Sequence, residues 1–138
     1  MIYTFYSYKG GVGRTMALAN IAELFYRSGL SVLMVDWDLE APGLERYFPT
    51  LDHQKTLCEP GIIELLAAYR AEFELDVDDD SPLIPQSPQD FIIDVDPNGD
   101  GKGKLQLLTA GCRSPENFSH YASAVQSFNW TEFYEEWE

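Results

Sequence analysis

The chain has 138 residues, 45% of them hydrophobic, which suffices for one globular core and is too short for two comfortable ones. Its 23 acidic against 9 basic residues leave a formal charge of -14, which opposes contact with nucleic-acid backbones or anionic lipid over most of the surface. The N-terminus has no basic segment followed by a long apolar run. No stretch of about 18 apolar residues occurs either, so neither secretion nor membrane spanning is expected and the expected address is cytoplasmic.

The first six-residue run, Ile2 to Ser7, is β-branched and aromatic and is expected as a strand. Lys9-Gly10-Gly11-Val12-Gly13-Arg14-Thr15 follows, and then Met16 to Phe25 with apolar residues at helical spacing. A glycine loop between strand and helix turns tightly and aims successive backbone N-H groups at an anion, to which the helix start adds its own free N-H groups and partial positive charge. Arg14 is placed to reach outer phosphates and the Thr15 hydroxyl to hold Mg²⁺. The plain P-loop spacing, G-x-x-x-x-G-K-[ST], is broken at two positions: Tyr8 stands for the first Gly and Arg14 for the Lys.

Arg27-Ser28-Gly29-Leu30 supplies a basic last turn and a glycine stop, and Ser31 to Asp36 is expected as a buried strand, completing a β-α-β unit. Ligands of such units sit at the carboxyl ends of parallel strands, which puts Asp36 and Asp38 beside the phosphate cradle as oxygen ligands for a cation, directly or through water. Phe48 to Pro60 is expected as a surface loop, with His53 a solvated residue. Gly61 to Arg70 is an apolar helical run, and residues 72-90 form an acidic, proline-rich loop or insertion.

Phe91 to Asp94 and Lys104 to Thr109 flank Pro97-Asn98-Gly99-Asp100-Gly101, strong turn chemistry that predicts a β-hairpin near 91-109. Two other readings are weaker. One makes Asp94 the metal-side carboxylate of a second strand. The other is a calcium loop from Asp94, Asp96, Asn98, Gly99 and Asp100, which has Leu105 where the bidentate Glu belongs. Cys58 and Cys112 lack metal-ligand spacing and are read as reduced thiols, buried or incidental. Trp130, Phe133, Tyr134 and Trp137 form an aromatic helical stripe beside Glu132, Glu135, Glu136 and Glu138, which suits core packing or partner docking rather than a membrane surface.

Lys9 to Thr15 resembles the deviant P-loop of the ParA/MinD family of ATPases, K-G-G-x-G-K-[ST], with Lys9 at its extra lysine. Asp36-Trp37-Asp38-Leu39-Glu40-Ala41-Pro42-Gly43-Leu44 is similar to that family's first switch loop, and Thr109 to Arg113 to a turn at a strand end. The resemblance runs from Met1 to about Cys112. It implies an α/β, P-loop NTPase-like fold with a mostly parallel sheet and flanking helices. Residues 1-138 would form one partial nucleotide-binding domain, the first half of a larger one, with the second switch and base-recognition region expected after residue 138. It implies ATP and Mg²⁺ as ligands, with nucleotide held by Lys9, Gly10, Gly11, Val12, Gly13, Arg14, Thr15 and Met16 and the metal by Thr15 and Asp36. Catalytic roles would fall to Lys9, Arg14 and Asp38, with Asp38 orienting water and Lys9 crossing a homodimer interface. The implied function is a nucleotide-dependent dimerisation switch, an ATPase in the longer protein and inactive in this stretch alone. The alternative is a non-hydrolysing nucleotide-binding or protein-docking scaffold.

Overall fold

The structure, a computed structural model, describes residues 1-74, 87-95 and 103-135, the side chains of 69-74 excepted. The tip of the expected hairpin, most of the acidic proline-rich segment, the calcium-loop residues 96-100 and Trp137 lie outside the described residues.

Helix α1 (Arg14–Arg27) begins at Gly13, whose φ of 81° is a left-handed conformation that glycine adopts without a Cβ clash. It ends as predicted, on the basic Arg27 and a left-handed Gly29, with the Ser28 N-H on the Leu24 carbonyl. Strand β1 (Val32–Val35) follows directly. A short 3-10 turn (Leu44–Tyr47) comes next, and the brief helix α2 (His53–Thr56) interrupts the stretch 48-60 expected as plain loop. Asp52 is the local cause, because its carboxylate caps α2 by accepting from the N-H groups of Gln54 and Lys55. His53 is exposed, as expected. Helix α3 (Ile62–Glu74) carries the apolar run somewhat further than predicted. At the far side of the acidic segment, Ser87 caps a 3-10 turn (Pro88–Phe91) through a capping box with Asp90.

Strands β2 (Ile92–Asp94) and β3 (Leu105–Leu108) pair antiparallel, with Ile92 opposite Leu108 and Asp94 opposite Gln106, so the hairpin forms. β1 pairs with β3 in parallel, Val32 opposite Leu105 and Val35 opposite Leu108, giving a small mixed sheet in the order β1-β3-β2. Helices α4 (Phe118–Ser127) and α5 (Trp130–Glu135) close the described chain.

The sheet separates two apolar clusters. Ala19, Ala22 and Tyr26 of α1 pack with Met34, Leu44, Phe48, Val95, Leu105 and Leu107 on one face. Ile62 and Ile63 of α3 and Tyr121 of α4 pack with Leu39, Phe91, Leu108 and Ala110 on the other. The alternation of Leu107 and Leu108 between these clusters is the period-2 consequence of the pleat.

One expectation fails. Residues 2-7 form no strand: the segment pairs with neither outer edge of the sheet, that of β1 or that of β2, and lies against α1 with the Tyr3 ring 5.5 Å from Phe25. Ile2 is 93% and Tyr6 73% exposed. β1 is covered on one face only, since Met34 is buried whereas Leu33 and Val35 are 48% and 37% exposed.

Candidate functional site

The glycine loop has the backbone that an anion cradle requires. Gly11 and Gly13 both have positive φ, 73° and 81°, and a Cβ built at Gly10 or Gly11 meets nothing within 4 Å, so the space before the loop is open. No side chain caps α1, which leaves the first N-H groups of a 14-residue helix without a capping partner and facing the loop. Ser7 steadies the approach by donating its hydroxyl to the Lys9 carbonyl at 2.9 Å. Lys9, Val12 and Met16 are exposed, while Arg14 and Thr15 are half-buried at the helix start.

Arg14 reaches across to the carboxyl end of β1. Its Nη2 meets Asp38 Oδ2 at 3.1 Å, while Nη1 approaches the Ser7 carbonyl at 3.4 Å. The fold thus joins two residues that are 24 positions apart in sequence. Asp38 Oδ1 also accepts from the Ala41 N-H at 3.1 Å, so the carboxylate is engaged on both oxygens.

Asp36 is placed differently from a carboxylate open to solvent. It is buried, and its Oδ2 accepts from the N-H groups of Gly43 at 2.9 Å and Leu44 at 3.0 Å, with the Asp38 N-H 3.4 Å from Oδ1. These bonds fold residues 36-44 into a compact loop and stabilise the charge that burial would otherwise penalise.

Three residues bearing on this loop escaped the sequence reading. Tyr121 donates its hydroxyl to the Leu39 carbonyl at 2.7 Å inside the core. Burial pushes its phenol up to about 12; Arg113 nearby works against that rise, and Asp36, Glu64 and Asp38 add to it. Arg113 and Glu45 form an ion pair at 3.3 Å, both side chains almost fully buried. A charged residue among apolar ones was the available signal for Glu45, but nothing local names a partner 68 positions away.

Glu64 anchors the end of β3 to α3, accepting from Gly61 N-H at 2.8 Å and from Cys112 N-H at 3.0 Å. The aromatic stripe packs on the loop: Trp130 lies 6.1 Å from Trp37 between ring centroids, and an open notch of about 290 Å³ between them is lined by Asp38, Leu39, Glu40 and Val125 as well. Cys58 is exposed and Cys112 half-buried, and both are free thiols. Among the described residues, no group of three or more His, Cys, Asp or Glu is placed to hold a metal ion, and no helix is long and apolar enough to cross a membrane.

No curated protein and no solved structure matches the chain. A family model, the CobQ/CobB/MinD/ParA nucleotide binding domain, matches residues 3-99, which contain the glycine loop, α1, β1 and the Asp36-Asp38 loop. A match over more than half of the chain, joined to a loop of the required backbone at a helix start, establishes that the chain belongs to the CobQ/CobB/MinD/ParA nucleotide-binding family, as a P-loop protein of the ParA/MinD kind.

Proposed function

We propose that the chain binds Mg²⁺-ATP through backbone 10-15, with Arg14 on the outer phosphates, and serves as part of a cytoplasmic, nucleotide-dependent dimerisation switch. The observation that carries this reading is the open, glycine-built cradle at the uncapped start of α1. Gly10 to Thr15 would supply N-H donors to phosphate, with Lys9, Val12 and Met16 at the rim, and the Thr15 hydroxyl would face the cation. Asp36 would act on that cation through water, because it is buried and its Oδ2 already accepts from Gly43 and Leu44. Mg²⁺ would neutralise phosphate charge when bound.

In the nucleotide-free chain Asp38 is committed to Arg14 and to the Ala41 N-H, so it is not free to orient water until phosphate takes its place on Arg14. Hydrolysis would belong to a longer protein that brings further groups to the phosphates, with Lys9 contributing from a second copy.

Titration calorimetry tests the binding. Wild type is expected to take up Mg²⁺-ATP and Arg14→Ala to lose most of that affinity, because a planar guanidinium on phosphate is not replaced by solvent. Equal affinity in the two chains would exclude the assigned role of Arg14, and no heat with either would exclude the cradle as a nucleotide site.

A further inference from the structure

Three consecutive residues, Trp37, Asp38 and Leu39, are each held by a different helix. The Trp37 ring meets Trp130 of α5, Asp38 Oδ2 meets Arg14 of α1, and the Leu39 carbonyl accepts from Tyr121 of α4. A fourth hold comes from Arg113, which pairs with Glu45 at the end of the loop and is itself rooted by its Nε on the Gly111 carbonyl at 3.1 Å. Trp130, Tyr121 and Arg113 all lie beyond the stretch that matches the nucleotide-binding family.

We propose that Tyr121, Arg113 and Trp130 are positioning residues that clamp the Asp36-Glu45 loop and keep Asp38 on Arg14, so that the segment after the sheet sets the affinity of the phosphate cradle. The proposal rests on the nucleotide reading above. Phosphate and the Asp38 carboxylate compete for the same guanidinium, so a bound nucleotide displaces Asp38. Its neighbours on both sides then have to shift against Trp130 and against a buried hydroxyl. That displacement costs free energy, which is withdrawn from binding. Loosening the clamp therefore tightens nucleotide binding while lowering stability, a combination that a purely structural role does not produce.

The experiment compares wild type, Tyr121→Phe and Trp130→Leu in the full 138-residue chain. It measures Mg²⁺-ATP affinity by calorimetry, the thermal midpoint, and amide exchange at Ala41, Gly43 and Leu44. Tyr121→Phe deletes one buried hydrogen bond and keeps the ring, so a Kd tighter by roughly three- to tenfold is expected, with a lower midpoint and faster exchange at the three amides. Trp130→Leu keeps the test open should Tyr121→Phe not fold, and the same direction is expected. A lowered midpoint with Kd unchanged or weaker overturns the proposal. Should wild type itself take no nucleotide, the phosphate reading has failed and the exchange rates alone decide: faster loop exchange in the variants supports the clamp, and unchanged exchange overturns it.

Discussion

Glu45 and Arg113 illustrate how much a single pair controls in a small core. Both side chains are almost out of solvent, and among the described residues neither Glu45 carboxylate oxygen has a hydrogen-bond donor to supplement the guanidinium 3.3 Å away. Taking two charges out of water is costly, and removing one partner leaves the other buried and unpaired. Glu45→Ala is therefore expected to lower the unfolding free energy by about 3–5 kcal/mol, whereas the double change Glu45→Leu with Arg113→Met should cost far less. Urea unfolding of wild type, Glu45→Ala, the single variants Glu45→Leu and Arg113→Met, and the double variant checks this; additive losses in the last three would show that the pair is not coupled.

Tyr121 adds a pH signature at the same scale. Its folded value of about 12 lies above the ordinary 10.0, chiefly because burial disfavours the phenolate, so the folded state holds a proton that the unfolded chain releases. The associated stability is intact below pH 10 and is lost as pH climbs from 10 toward 12. Wild type should lose stability over that window faster than Tyr121→Phe, as read from denaturant midpoints, and parallel curves for the two chains would count against the buried hydroxyl. None of these three residues is legible locally, because what defines each is a partner 68 to 82 positions away.

Elements written in short-range chemistry were legible. The glycine loop and the Arg27-Gly29 stop fix both ends of α1, and turn residues between two apolar runs fix the hairpin of β2 and β3. Elements that depend on a distant neighbour were not. Ile2 to Ser7 has strand composition, yet composition makes a strand only where a neighbour pairs with it, and this segment lies on α1 rather than along either outer edge of the sheet. The stretch 48-60 was misread for the opposite reason, since the Asp52 cap that starts α2 is a single-residue signal inside an aperiodic sequence. The glycine loop and the two carboxylates after β1 were legible as residue types, whereas the Arg14-Asp38 pair was not. What the residues could not convey is that Asp36 is spent on the backbone of its own loop.

At the scale of the whole molecule, a chain of charge -14 carries its cradle as a local basic spot, with Lys9 exposed at its mouth and Arg14 set back against Asp38. An exposed ammonium is screened by solvent and salt, but in a closed interface it meets phosphate in a strong charge-assisted contact. In a longer chain that contains the whole domain, Lys9→Ala is thus expected to abolish nucleotide-dependent dimerisation and to reduce monomer affinity only modestly. Light scattering with a non-hydrolysable ATP analogue reads this, and equal dimer formation by wild type and Lys9→Ala would refute the interface role.

The most direct measurement is an amide-resolved magnetic resonance titration of the 138-residue chain with Mg²⁺-ATP. The expected result is that shifts concentrate at the N-H groups of Gly10 to Thr15, where phosphate enters, with a second set at Trp37 to Ala41 as Asp38 leaves Arg14. Shifts confined to other surfaces, or none at saturating nucleotide, would contradict the assignment of the glycine loop as the phosphate site.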